Sequence, residues 1–280
     1  MSHLTTVIPV YNGERFLEAT LESVARQDRR PDRVIIQDNC STDDTPRIAQ
    51  AFAREGFEWR RVEPHLECID HFNLAFRFAE ETDVLHLLTA DDLVKPAFYQ
   101  RLLESLEQAE GHALAYSAYE VIDADGRLAR GGDLVNPFPV EPGVPARKIS
   151  PRQLIKSQAD LRTICMPAVL MKTNRQPLPV GLRRGFIQCA DAIFFAEITS
   201  TYRDIHEVPE ALCQFRRHAH SATSQNRARP GALIADEWRA MVIISGLLRK
   251  TGWSARLWNF RQRCLLAASS RVLLQTVGDV

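Results

Sequence analysis

The order of apolar segments in the first half of the chain constrains the fold more than any other feature. Short runs rich in β-branched residues alternate with longer segments whose apolar residues recur at helical spacing. The predicted strands are residues 4–10, 32–38, 57–62, 83–90 and 112–123. The predicted helices between them are residues 14–27, 39–55, 68–81 and 97–110. This alternation predicts β-α-β units, and therefore an α/β fold with a mostly parallel sheet flanked by helices.

The second half has weaker patterns. Residues 126–150 are so rich in Gly and Pro that we expect a long surface loop, whereas 189–200 predicts a helix and 207–218 a strand that ends in a basic cluster. The basic segment from 229 onward has helical spacing and contains three tryptophans, Trp238, Trp253 and Trp258. We therefore expect one domain over residues 1–228, divided into 1–123 and 124–228, and a C-terminal helical extension over 229–280. The extension could contact an anionic membrane surface or pack on the domain.

Charge and cysteine content exclude several classes of function. Lys plus Arg and Asp plus Glu number 35 each, so the protein has no overall field that would attract nucleic acid. The six cysteines have none of the spacings of a zinc site, which indicates reduced thiols in a cytosolic protein. The N-terminus lacks the pattern of a signal peptide, and no run approaches the roughly 18 apolar residues of a membrane helix. We expect a cytoplasmic protein.

Polar residues stand at the carboxyl ends of three predicted strands, where open α/β sheets bind their ligands. The first strand ends at Tyr11, the second at Asp38, and the fourth leads into Asp91 and Asp92. The glycine-rich loops that cradle a diphosphate, G-x-G-x-x-G and G-x-x-x-x-G-K-[ST], are absent. A nucleotide at this edge would need another partner for its charge. Two carboxylates that hold Mg²⁺ or Mn²⁺ are such a partner.

Four segments in this order resemble the family 2 inverting glycosyltransferases, which have the A-type glycosyltransferase (GT-A) fold. They are "VIPVYNGERFLEATLESVARQ", "VIIQDNCSTDDT", "HFNLAFRFAEE" and "LHLLTADDL". The resemblance is close over residues 4–123 and looser to about 224. It implies a Rossmann-like sheet, a nucleotide-sugar-binding half over 1–123 and an acceptor and catalytic half over 124–228.

The resemblance also implies roles for single residues in the first half. Pro9 and Tyr11 would lie against the nucleobase, and Asp38 would accept a hydrogen bond from the edge of the base. Asp91 would contact the ribose or a metal-bound water, and Asp92 would ligate the cation between the two phosphates. The family often has a further Asp two positions before this pair, where this chain has Thr89.

In the second half the resemblance implies that Asp191 is the base that deprotonates the acceptor. Ala190 stands where the family commonly has a Glu. The alternative for Asp191 is a helix N-cap without a catalytic role. His218 would be a metal ligand or a diphosphate contact, and Arg216 or Arg217 would neutralise phosphate charge. The alternative for residues 216–218 is a solvated basic turn.

The sequence therefore predicts a metal-dependent inverting glycosyltransferase with Mn²⁺ or Mg²⁺ as cofactor. It would move a single sugar from a UDP- or dTDP-sugar to a hydroxyl of a glycan or lipid-linked glycan, in surface polysaccharide or glycolipid assembly. Membrane contact through the C-terminal helices would place it at the inner face of the membrane. Two alternatives stay open. One is an inactive nucleotide-sugar-binding module. The other is a nucleotidyltransferase, although that class needs a phosphate loop after the first strand, and the segment "VYNGERFLE" does not provide one.

Overall fold

The structure is a computed structural model that describes residues 2–129, 140–159, 164–186, 188–219, 221 and 230–250. Its strands are β1 (Leu4–Val10), β2 (Arg33–Asp38), β3 (Glu58–Arg61), β4 (Val84–Leu87), β5 (Leu93–Val94), β6 (Ala113–Ile122), β7 (Arg147–Ile149), β8 (Val169–Lys172) and β9 (Asp204–Arg216). Its helices are α1 (Leu17–Ala25), α2 (Thr45–Ala53), α3 (Cys68–Ala75), α4 (Phe98–Leu106), α5 (Pro151–Ala159), α6 (Ala190–Thr201) and α7 (Pro230–Lys250). Two 3₁₀ turns cover Phe76–Glu81 and Met166–Ala168.

All the strands in the described part of the chain belong to one mixed sheet. Their order is β3-β2-β1-β4-β8-β6-β9-β5, with β7 paired to β9. Strands β1, β2, β3 and β4 run parallel to one another, and so do β6 and β9. Strand β8 runs antiparallel between β4 and β6, which keeps β6 and β9 in the same direction as β1. The carboxyl ends of β1, β2, β4, β6 and β9 therefore meet at one edge of the sheet.

The five strands predicted in the first half are confirmed, each within a few residues of its predicted bounds. The helices predicted among them are also present, and the one over 68–81 ends as a 3₁₀ turn. The sequence did not predict β5, β7, β8 or α5. The predicted loop over 126–150 contains β7, and its residues 130–139 lie outside the described residues. Strands β5 and β7 are very short and exist because β9 supplies the hydrogen bonds for both.

The sheet separates two apolar cores. Every residue of β1 is buried, as expected for a central strand that is covered on both faces. On one face Leu4 and Ile8 pack with residues of α1, α2 and α4. On the other face Val7 packs with residues of α6, where the rings of Phe76 and Phe194 stack with centroids 4.8 Å apart. Burial on both faces fixes the strands, and so the positions of their carboxyl ends.

Helix α7 packs against α5 and α6 in a third apolar cluster. Its members are Ile155, Ala159, Cys189, Ala192, Ile193, Ala196, Ala240, Met241, Ile244 and Leu248. Over residues 230–250 the predicted extension therefore packs on the main domain, although Trp238 and Val242 of α7 remain exposed. Trp253 and Trp258 lie outside the described residues. No helix in the described part of the chain is long and apolar enough to cross a membrane.

Candidate functional site

The loops that follow β1 and β2 are joined by hydrogen bonds between side chains and backbone. The N–H of Asn12 donates to the hydroxyl of Ser41 (2.9 Å), and the N–H of Gly13 donates to the hydroxyl of Thr45 (2.8 Å). A Cβ at Gly13 would lie 2.5 Å from Cγ2 of Val10, so no side chain fits at this position. Glycine is favoured here because the chain passes close to the side chain of Val10 at the end of β1.

Tyr11 presents an open aromatic surface at this edge. Its residue is 50% exposed, and its ring lies 4.4 Å from the ring of His65 at an angle of 49°. Nδ1 of His65 lies 3.0 Å from the carbonyl oxygen of Asn39, which follows β2. Pro9 is buried within β1. Of Pro9 and Tyr11, which were predicted to lie against a nucleobase, only Tyr11 therefore offers a surface to a planar ligand.

Asp38 lies beside Tyr11 but is completely buried. Its Oδ1 accepts the N–H of Ser41 at 2.9 Å, and its Oδ2 lies 3.3 Å from Nη1 of Arg61. The same guanidinium group donates to the carbonyl oxygen of Ser41 at 3.2 Å. Arg61 is the last residue of β3, at the same edge of the sheet as Asp38. A ligand could reach the carboxylate of Asp38 only if Arg61 moved.

The structure corrects the prediction that Asp92 faces a cation. Asp92 is 1% exposed, and its Oδ1 accepts the N–H of Arg216 at 2.6 Å. Its Oδ2 accepts a hydrogen bond from the hydroxyl of Thr89. Burial, together with the charge of Asp91, holds the pKa of Asp92 well above its usual range. Asp92 thus joins the segment after β4 to the end of β9, and Thr89 replaces a third carboxylate with a hydrogen-bond donor.

Asp91 is the carboxylate that faces His218. Its Oδ2 lies 3.1 Å from Nε2 of His218, and about a third of its side chain is exposed. The ring of Phe16 supports this pair, since it lies 4.6 Å from the ring of His218. The acidic pair and the basic segment after β9, far apart in the sequence, therefore meet through Asp91 rather than through Asp92.

The pair formed by Asp91 and His218 fits a divalent cation. Two ligands about 2.1 Å from an octahedral cation and at right angles to each other lie about 3 Å apart, which is close to the observed separation. Nδ1 of His218 is buried and has no hydrogen-bond partner within the described residues. The described residues contain no group of three or more possible metal-ligating side chains. Phosphate and water oxygens would therefore complete the coordination, as is usual for Mg²⁺.

The two arginines before His218 have different surroundings. Arg216 is buried, and its guanidinium donates to the carbonyl oxygens of Asp91 (2.8 Å) and Asp123 (3.1 Å). This arginine holds neighbouring segments together and is not available to a phosphate. Arg217 donates its N–H to the carbonyl oxygen of Ile122 (2.8 Å) and is half-buried. Of the two, Arg217 remains the candidate for a phosphate contact.

Asp191 is the second residue of α6 and is not its N-cap, a position that Cys189 occupies. The N-cap alternative is therefore wrong. Asp191 is half-buried, and its Oδ1 accepts the N–H of Ala192 at 2.7 Å. Burial, with a contribution from the charge of Asp236, raises the pKa of Asp191 from its ordinary value of 3.8 to about 6. A carboxylate with such a pKa is better suited to accept a proton near neutral pH than an ordinary Asp.

The predicted base and the acidic pair lie within electrostatic reach of one thiol. Cys165, which precedes the 3₁₀ turn before β8, has a pKa raised mainly by burial. The charges of Asp91, Asp92 and Asp191 each raise it further. Asp191 and the acidic pair therefore each lie close enough to Cys165 to affect its pKa. No sequence motif pointed to Cys165.

Of the two polar residues of α3 near the site, His71 and Asn73, Asn73 has a structural role. The side-chain amide of Asn73 accepts the N–H of Leu182 (2.7 Å) and donates to its carbonyl oxygen (2.9 Å). His71 is buried, which lowers its pKa to about 4. Asn73 therefore fixes the segment that precedes α6 to α3.

The sequence matches a family of known proteins. The family model described as Glycosyl transferase family 2 matches residues 5–163, more than half of the chain. A comparison with curated protein sequences found no match.

Several solved structures have a similar fold. The structure of residues 1–349 of S. aureus TarS in complex with UDP-GlcNAc superposes with a TM-score of 0.68 at 16% identity, over 91% of this chain and 69% of that chain. The mannosyltransferase PcManGT from Pyrobaculum calidifontis, in complex with GDP-Man and Mn²⁺, gives 0.59 at 14% identity, over 98% and 81%. GalNAc-T7 with UDP, GalNAc and Mn²⁺ gives 0.57 at 14% identity, over 86% and 47%. These likenesses confirm the predicted α/β fold of the GT-A type.

Proposed function

The chain belongs to Glycosyl transferase family 2, and from that premise we propose that it is a metal-dependent inverting glycosyltransferase. It would transfer a single sugar from a UDP- or dTDP-sugar to an acceptor hydroxyl. The observation that carries this proposal is the pairing of Asp91 with His218 at 3.1 Å. This pair lies at the carboxyl edge of the sheet, and the carboxylate proposed as the base, Asp191, has a pKa raised to about 6.

The donor nucleotide would bind across the ends of β1 and β2. Tyr11 and His65 offer the base a stacking surface. Asp38 would accept a hydrogen bond from the base after the guanidinium of Arg61 has moved aside, and Arg61 could then donate to a carbonyl of the base. The solved complex of TarS with UDP-GlcNAc supports a uridine nucleotide as donor, because that protein has a similar fold.

The diphosphate would lie between the ends of β4 and β9. A bound Mn²⁺ or Mg²⁺, held by Asp91 and His218, would stabilise the negative charge that develops on the departing diphosphate. The complex of PcManGT with GDP-Man and Mn²⁺ supports this cofactor. Arg217 would add a positive charge to the same phosphates. Asp92 would hold β9 in place, so that His218 stays opposite Asp91.

Asp191 would take the proton from the acceptor hydroxyl as that oxygen attacks the anomeric carbon. A single displacement by an acceptor on the face opposite the diphosphate inverts the configuration of that carbon. The N–H of Ala192 already bonds to one carboxylate oxygen of Asp191. The carboxylate is therefore oriented before the acceptor arrives, which lowers the cost of reaching the reactive geometry.

Calorimetric titration with UDP, in the presence and absence of Mn²⁺, tests the metal and nucleotide sites. We expect Mn²⁺ to tighten UDP binding, and we expect Asp91→Asn and His218→Ala each to remove that gain. Asp28→Asn, at an exposed carboxylate outside the site, is the matched control. UDP binding that is equally weak with and without Mn²⁺ would contradict the proposal.

Slow hydrolysis of the donor without an acceptor separates an enzyme from an inactive binding module. We expect wild-type protein with Mn²⁺ to release UDP from UDP-GlcNAc or a related donor, and Asp191→Asn to bind UDP normally but to lose about 10²-fold or more of this rate. A thermal-shift panel with Mn²⁺ and UDP-, dTDP- and GDP-sugars would identify the donor. Binding of UDP without any hydrolysis in wild type would favour the binding module.

The acceptor would be a glycan or a lipid-linked glycan, which places the reaction in surface polysaccharide or glycolipid assembly. The basic segment with Trp253 and Trp258 would bring the enzyme to the inner face of a membrane. Sedimentation of the full chain with anionic vesicles tests this placement, with replacement of both tryptophans by Ala as the comparison. Equal sedimentation of the two proteins would contradict it.

A further inference from the structure

Helix α7 reaches across to the segment that leads into α6. Asp236 of α7 is 1% exposed, and its Oδ2 accepts the N–H groups of both Gln188 and Cys189, each at 2.9 Å. These two residues come directly before α6, which begins at Ala190. A single buried carboxylate oxygen therefore holds the backbone at the start of the helix that carries Asp191.

Arg239, one turn further along α7, holds the beginning of the same segment. Its guanidinium donates to Oδ1 of Asp236 at 3.1 Å and also to the carbonyl oxygen of Gly185. It lies 4.5 Å from the centre of the Phe186 ring. Gly185 has a φ of +80°, a conformation that favours glycine. Asp236 and Arg239 together hold both ends of the turn before α6.

We propose that Asp236 is a positioning residue for sugar transfer, which sets the orientation and the basicity of Asp191 from the C-terminal helix. This inference rests on the function proposed above, in which Asp191 is the base. The first effect is geometric. Asp191 follows Cys189 by two residues, so a change in the backbone at Cys189 moves the carboxylate directly. Displacement of a reacting group by about 1 Å can cost about 10²-fold in rate.

The second effect is electrostatic. Asp236 contributes to the raised pKa of Asp191, after the larger contribution of burial. Within the part of the chain that the structure describes, the other titratable groups that interact with the charge of Asp191 are the phenol of Tyr119 on β6 and the thiols of Cys165 and Cys189. Burial raises the pKa of each of them, so they are uncharged near neutral pH. Removal of the charge at position 236 should therefore lower the pKa of Asp191 and make it a weaker base.

The experiment compares Asp236→Asn and Asp236→Ala with wild type in the full chain. Asn keeps an oxygen that can accept the two N–H groups but loses the charge, whereas Ala loses both. We expect kcat/KM for hydrolysis of the UDP-sugar to increase with pH in wild type, with a midpoint at about pH 6. In Asp236→Asn we expect this midpoint to lie lower by about half a pH unit or more. In Asp236→Ala we expect kcat to fall about tenfold or more, while the Kd for UDP stays within about twofold.

Glu237→Gln is the matched control. It removes one negative charge from the neighbouring position of α7 and leaves the turn before α6 in place, so its pH profile should follow that of wild type. A ¹³C titration of the Asp191 carboxyl group, whose signal is the one lost in Asp191→Asn, gives the same comparison without turnover. This measurement also serves if Asp236→Ala does not fold.

The outcomes separate the two proposals. If wild type shows the rise near pH 6 and Asp236→Asn shows it at the same pH, with the same carboxyl titration, the role of Asp236 is refuted and Asp191 remains the base. If Asp191→Asn keeps near-normal turnover, the proposed mechanism itself is refuted, whatever Asp236 does. A lower titration midpoint in Asp236→Asn, but not in Glu237→Gln, supports the inference.

Discussion

Replacement of Asp191 by Asn should make the protein more stable at neutral pH while it removes turnover. The two effects have one cause, because burial that makes Asp191 a better base also makes its charged form costly in the folded state. The pKa of Asp191 is raised from 3.8 to about 6. Above pH 6 the folded protein holds a carboxylate that would be better solvated in the unfolded chain. Asn has a similar shape and carries no charge.

The magnitude follows from proton linkage. One pKa unit corresponds to about 1.4 kcal/mol, so a change from 3.8 to about 6 corresponds to at most about 3 kcal/mol. Asp191 is only half-buried, and solvent screening reduces this figure to about 1–2 kcal/mol. Because the pKa of Asp191 is higher in the folded than in the unfolded state, its ionisation lowers the stability of the fold as the pH rises. The cost is absent below about pH 4, grows as the pH rises to about 6, and is constant above that.

Urea unfolding at pH 4 and at pH 7.5 measures this difference. We expect Asp191→Asn to increase the free energy of unfolding by about 1–2 kcal/mol at pH 7.5 and to change it little at pH 4. Asp28→Asn, at an exposed carboxylate, should stay within about 0.5 kcal/mol of wild type at both values. A stability difference that is the same at both pH values, or a loss of stability at pH 7.5, would refute the reasoning.

Three further predictions concern structure and cofactor. Asn73→Ala removes both hydrogen bonds to Leu182 and should lower the free energy of unfolding by about 2–4 kcal/mol in urea; an unchanged midpoint would contradict the structural role of Asn73. Gly13→Ala would place its Cβ 2.5 Å from Cγ2 of Val10, and we expect a loss of about 1–3 kcal/mol in thermal unfolding. Treatment with EDTA should abolish hydrolysis of the donor and added Mn²⁺ should restore it, whereas activity that survives EDTA would argue against a metal-dependent enzyme.

The nucleotide half was predictable because local signals there agree with the global fold. Three of its predicted strands, 4–10, 32–38 and 83–90, are apolar runs with polar residues at or just after their ends, and each is followed by a segment of helical spacing. The second half lacks such signals. Strand β8 has four residues and exists because β4 and β6 leave a gap that it fills with antiparallel pairs. Strand β7 depends in the same way on the edge of β9.

The position of the acidic pair was predictable from the sequence, but which of its two side chains faces solvent was not. The sequence located two adjacent carboxylates at the end of a buried strand, but neighbouring residues point in different directions, and only the fold decides which one meets the solvent. That decision is made far along the chain, where the N–H of Arg216 bonds to Asp92 and the ring of His218 approaches Asp91. A partner that is distant in the sequence leaves no local pattern.

The environment of Asp191 also depends on a residue that is distant in the sequence. Position 190, where related enzymes commonly have an acidic residue, is Ala190, and nothing near it in the sequence replaces the lost charge. The structure supplies a carboxylate from α7, through Asp236, at the turn before α6. Because α7 packs on α5 and α6 in one apolar cluster, any contact that shifts α7 would also move Asp236. The packing of the C-terminal helix would therefore bear directly on Asp191, the residue proposed as the base.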